Sequence, residues 1–205
     1  MDRHISVQGI GESAAVPDKC NIDLRVWATG RTVAESTEQM ATASRAVIDA
    51  LAGGGADEVS TARFSIRSDH DNQGRPSGFR SETSIRAVTS LEGGSGEAPS
   101  RLLGAAVAAG GDNLALDGME FVQTDLTEVE EEAGRAAIAD ARARAEVMAE
   151  AAGVGLGDVL AIEQQPFHAP GPLRFKAMSA EAMDMPVRPG AKTTTVEVRV
   201  TYSLA

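Results

Sequence analysis

Side chains able to do chemistry are few in this 205-residue chain, which has one cysteine and three histidines. Cys20 could act as a redox thiol, yet it alternates in phase with Ile22 and Leu24. A thiol on the inward face of a strand behaves as a small, inert hydrophobe. Asp69, His70 and Asp71 are ligand types for a divalent cation, but adjacent residues rarely converge on one ion and no second ligand group stands near them. His4 and His168 have no partner legible in the sequence. Residues 9–14, GIGESA, match the glycine fingerprint that admits a pyrophosphate onto a helix N-terminus. That motif requires a helix to follow, whereas Pro17 and a second alternating segment follow here, so no nucleotide site is expected. Walker, nucleophile-elbow and HExxH patterns do not occur. The acids Glu128, Glu130, Glu131 and Glu132 read as first-turn charges that complement a helix dipole rather than as a cation site. No catalytic, cofactor or metal residue is assigned, and a non-enzymatic role is expected.

Nineteen Lys and Arg against 30 Asp and Glu give a net charge of −11, which argues against nucleic acid or an anionic membrane as partner. No apolar run reaches the length of about 18 residues needed for a membrane span. The first fifteen residues include Asp2, Arg3, His4 and Glu12 and lack the apolar region of an export signal. As written, the chain reads as cytoplasmic; the alternative is a periplasmic or exported protein whose leader has been removed. A lone cysteine excludes an intrachain disulfide and fits either compartment.

The elements that would position any site follow from periodicity. HISVQGIGE alternates with a period of two, and Gly9, Gly11 and Pro17 suggest a bend before the next strand, CNIDLRVWA. A helix begins at a capping box of Thr32 and Glu35, with Val33, Thr37, Met40, Ser44, Val47 and Leu51 down one face. VSTARFSIR and GFRSETSIRAVTSL read as a long hairpin, with Ala62, Phe64 and Ile66 in phase. Pro99 opens a short helix, and NLALDGMEFVQT is a strand bulged near Gly118. The longest helix starts at a second box, Thr127 and Glu130. Its expected buried stripe is Ile138, Ala141, Ala145, Met148 and Ala152, with the pairs Glu131–Arg135, Asp140–Arg144 and Arg142–Glu146 on its wet side. DVLAIEQQ and TTTVEVRVTYSL are the last strands, the latter burying Val196, Val198, Val200, Tyr202 and Leu204.

Residues 20–91 and 114–204 both read strand, helix, strand, strand. The expected fold is therefore α+β: one domain over 1–205, made of two βαββ units with mainly antiparallel sheet and helices on one face. Strands at 5–9 and 196–204 are possible sheet edges, whose need for cover makes a homo-oligomer the expected state. Trp27 falls on the polar face of its strand and is a candidate interface anchor. Residues 166–192 hold five of the eight prolines and read as a mobile or partner-ordered arm, with Phe167, Phe175, Met178, Met183 and Met185 as its contact residues.

From about Ile5 to Leu204 the order of these segments resembles the SIMPL-domain family. The carrying pieces are ISVQGIGESAAVPDKCNIDLRV, RAVIDAL followed by DEVSTARFSI, GGDNLALDGMEF, AAIADARARAEVMAEAAGVGLGDV and PVRPGAKTTTVEVRVTYSL. Arg142 and Arg144 stand where members often carry Lys, and GFR replaces the more usual Gly-Tyr at Gly78 and Phe79. The resemblance implies βαββ units and no established catalytic residues. It also implies kinship with a bacterial periplasmic immunogenic protein that forms a ring-like homo-oligomer, with proteins linked to oxidative-stress defence, and with an animal member that binds a signalling kinase. The reading is a bacterial, self-associating interaction or assembly protein without cofactor; the alternative is a small-molecule binder or enzyme with its site between the two βαββ units under the 166–192 arm.

Overall fold

The computed structural model describes residues 3–70, 73–164 and 189–205. The element order is β1 (His4–Ala15), β2 (Lys19–Gly30), α1 (Val33–Gly53), β3 (Glu58–His70), β4 (Pro76–Ser90), α2 (Glu97–Gly110), β5 (Leu114–Val122), α3 (Thr127–Ala151), β6 (Leu156–Gln164) and β7 (Lys192–Leu204). Every strand pairing is antiparallel, so the α+β class stands. The chain forms two compact units, one from Pro17 to Val122 and one from β1, α3, β6 and β7.

In the first unit the sheet order is β3-β4-β2-β5. Strict alternation in β2 sends Cys20, Ile22, Leu24, Val26 and Ala28 to one face, where they meet Val47 and Leu51 of α1 and Leu102 and Ala106 of α2. Burying each such aliphatic side chain contributes roughly 1.5–3 kcal/mol. The capping box forms as its sequence predicts: the Thr32 hydroxyl accepts from the Glu35 N–H at 3.1 Å. Glu35 reaches back to the N–H of Arg31 at 2.8 Å. Val33 is exposed, and Ser36 takes its place on the buried face, its hydroxyl 2.9 Å from that of Ser81 on β4. β5 carries the expected bulge, since Asp23 pairs with Gly118 while Leu24 pairs with Leu116.

The second unit is a three-stranded sheet, β1-β7-β6, with α3 on β1 and β7. Several expectations are corrected here. The expected break between the first two strands falls at residues 16–18, around Pro17, while β1 runs straight through Gly9 and Gly11; β7 is central, so the edge strands are β1 and β6. β5 does not accompany α3 but pairs with β2 in the other sheet; the sequence order of the second βαββ run therefore does not match a shared sheet. The start of α3 is capped by Asp125, whose carboxylate accepts from the Thr127 N–H at 2.9 Å, and no Thr127–Glu130 box forms. Its buried stripe is Ala133, Ala137, Ala141, Ala145 and Ala149, while Ile138 and Met148 are exposed.

That alanine stripe follows from the strand beneath it. A Cβ on Gly9 would stand 2.1 Å from the Ala137 carbonyl oxygen, and one on Gly11 would stand 2.0 Å from that of Ala133. Helix and strand backbones thus touch directly, which only glycine facing alanine permits. Residues four apart also drift by about 40° around a helix, so the stripe fits a helix crossing the strands obliquely.

Gly9→Ala and Gly11→Ala are each expected to lower stability by about 3 kcal/mol or more, since the obstructing atoms are backbone. Gly134→Ala on the same helix, where an added Cβ meets nothing within 4 Å, is expected to raise stability by about 1 kcal/mol. Urea unfolding followed by circular dichroism checks both signs.

Candidate interaction surface

The odd-numbered residues of β2, Asn21, Asp23, Arg25 and Trp27, point away from α1 and α2. Among the described residues of this unit, no helix lies over that face. Trp27 is half-buried there, with the Arg80 guanidinium 4.9 Å from its ring centroid, a cation–π contact worth about 0.5–1 kcal/mol at such a site. Arg86 grips Asp23 with two bonds of 2.7 and 3.0 Å. Arg25 pairs with Asp117 and Arg67 with Glu82. Asp117 is the extra residue of the β5 bulge, so the irregularity supplies the partner of Arg25. Three ion pairs lie within this face, so it is a mixed-charge platform rather than an anion site. The ion pairs are partly exposed, so each contributes between about 0 and 1 kcal/mol. Phe167, Phe175, Met178, Met183 and Met185 lie outside the described residues, as does most of the 166–192 arm.

Two further surfaces were not legible as exposed. On β3, Phe64 and Ile66 are 52% and 41% exposed; on β6, Val159, Leu160 and Ile162 are 50%, 57% and 51% exposed. Alternation marks such residues as core, but α1 and α2 lie chiefly over β2 and β4, and α3 over β1 and β7. Both strands are sheet edges. β1, also an edge, is treated differently: the Ile10 N–H donates to the Asp140 carboxylate at 2.9 Å, and Asp140 pairs with Arg144 at 2.9 Å. The Ile10 bond first, and Arg144 second, hold the Asp140 carboxyl below its ordinary value. A side chain bound to an edge N–H blocks strand addition there.

Cys20 is fully buried and unpaired, and burial pushes its thiol up to about 12. The GIGESA glycines serve helix packing, as the Gly9 and Gly11 contacts show. Among the described residues no three His, Cys, Asp or Glu side chains converge on a possible metal position, and no helix is long and apolar enough to cross a membrane.

Comparison with known proteins adds identity to this geometry. The SIMPL family model, described as a protein of unknown function (DUF541), matches residues 5–202. The chain is similar to the 26 kDa periplasmic immunogenic protein of Brucella melitensis biotype 1, 28% identical over 98% of this chain and 84% of that protein. It is similar to the protein of the same name from Brucella abortus, with the same identity and coverage.

Two outcomes are expected from this site. Because its thiolate is scarce and enclosed, Cys20 in the native protein should react with a thiol reagent at neutral pH far more slowly than in the urea-unfolded chain. Asp140→Asn should destabilise the β1 edge and speed exchange of the Ile10 amide. A carboxyl with a lowered folded value stabilises above its unfolded value and loses that effect as pH falls through the folded one. The stability gap between wild type and Asp140→Asn should therefore be full above the ordinary 3.8 and close as pH drops below it.

Proposed function

The chain belongs to the SIMPL family, and from that premise we propose that it is a non-enzymatic assembly protein that binds copies of itself. One observation carries the reading: two edge strands, β3 and β6, present five large apolar side chains at about half exposure. Single exposed hydrophobes are ordinary on soluble proteins, but their concentration on unprotected sheet edges favours a partner that supplies another strand. The Trp27 and Arg80 platform is the candidate second contact, since aromatic and arginine side chains are the commonest anchors of protein interfaces.

The family match runs through both compact units, which supports treating the whole chain as one SIMPL-like domain. We place the protein in the periplasm, following the name of its Brucella relatives. A single cysteine sealed in the core suits that oxidising compartment, because it cannot reach a second thiol.

Light scattering across a range of concentrations should give a mass that is a multiple of the 21.3 kDa chain. A mass that stays at one chain throughout would overturn this reading.

A further inference from the structure

We propose that assembly joins β3 of one copy to β6 of the next, antiparallel, with Arg63 against Glu163 and Phe64 against Ile162. This rests on the self-association reading and deepens it by naming the two surfaces that meet.

The sheets offer four edges: β1, β6, β3 and β5. On β1 the Asp140 carboxylate already takes the Ile10 amide, so a strand added there would have to displace it. In β5 only Asp117 is exposed. β6 beyond Leu156 is exposed on both faces, and β3 is exposed over most of its length, so among the described residues these two edges carry no added strand.

Their sequences fit one another. In β3, Arg63, Ser65 and Arg67 pair with Ser84, Glu82 and Arg80, while Phe64 and Ile66 pair with Thr83 and Ser81 on the helix side. In β6, Val159 and Ile162 pair with Tyr202 and Val200 on the helix side, and Ala161 and Glu163 with Thr201 and Arg199 on the other. Leu160 is taken up by the register shift between them. Each edge therefore has two apolar residues on its helix side, alternating with a small residue and a charge on the other. Laid antiparallel, the pairs are Arg63 with Glu163, Phe64 with Ile162, Ser65 with Ala161, and Ile66 with Val159. A slip of one residue would break this match, setting Arg63 against Ile162 or Phe64 against Glu163 and turning the two apolar rows to opposite faces.

Opposite charges and apolar pairs directly across strands are both favourable. Arg63 makes no ion pair among the described residues, whereas Arg67 is committed to Glu82. That difference selects the antiparallel register, since a parallel one would set Arg67 against Glu163. Antiparallel pairing is also the more stable kind per residue. Because the two edges differ, the contact is heterologous: each copy has one β3 and one β6 edge to offer.

The test is charge reversal read by sedimentation velocity, with circular dichroism showing that each variant is folded. Arg63→Glu alone and Glu163→Arg alone should each place like charges together and raise the dissociation constant at least about tenfold. Mixing the two variants, or combining both changes in one chain, should restore assembly, because opposite charges then meet again. Arg67→Glu should leave the Arg63–Glu163 contact working. If the wild type assembles and neither single reversal weakens it, or if only Arg67→Glu does, this interface is wrong while self-association survives. If the wild type is monomeric throughout, the self-association reading itself falls.

Discussion

Where α3 crosses β1 the two backbones are separated by hydrogen atoms alone, with Gly9 and Gly11 beneath Ala133, Ala137 and Ala141. Other features of that unit depend on this approach. It fixes which face of β1 is buried, and so which amides point outward. It brings the flank of α3 to the strand edge, where Asp140 takes the Ile10 N–H. It also centres the helix over β1 and β7, so that the larger side chains Ile138 and Met148 turn to solvent and β6 extends past the helix. The protected edge and the open edge of this sheet are two results of one packing choice.

The four-stranded sheet arrives at a similar imbalance by different means. Larger side chains, Leu24, Ile85, Leu51 and Leu102 among them, fill the space between two helices and β2 and β4. Only the start of β3 is then covered: Val59 packs against this core, while Phe64 and Ile66 further along stay exposed. On the opposite face, arginines and carboxylates pair within the sheet around Trp27. Pairing of that kind keeps a broad polar surface flat and ordered without creating a strong field, which suits recognition of another protein more than capture of a small anion.

Among the described residues the one thiol is shut away and held in the neutral form, and the glycine motif that resembles a phosphate loop is occupied by a helix. What stays uncovered among the described residues are strand edges and an open sheet face, features of the kind that can pair with another backbone.

Much of the build was legible along the chain because it depends on neighbours in sequence. The period of two in β2 and β7, the Thr32 cap, the three ion pairs on α3, the β5 bulge and the inward Cys20 all follow from local spacing. Trp27 on the outer face of β2 followed from the same alternation. Contacts across long stretches were not legible. The two glycines of β1 looked like a nucleotide motif or a bend, because their real partner is a helix more than 120 residues later. The α3 stripe holds at Ala141 and Ala145 but fails at Ile138 and Met148 for the same reason: hydrophobicity favours the larger side chains, but a slot lined by glycine accepts only alanine. Likewise, alternation in β3 and β6 correctly separates two faces, yet whether a face is buried depends on where a helix comes to rest. Local chemistry sets the elements; excluded volume between distant segments decides which of their surfaces are covered and which stay open.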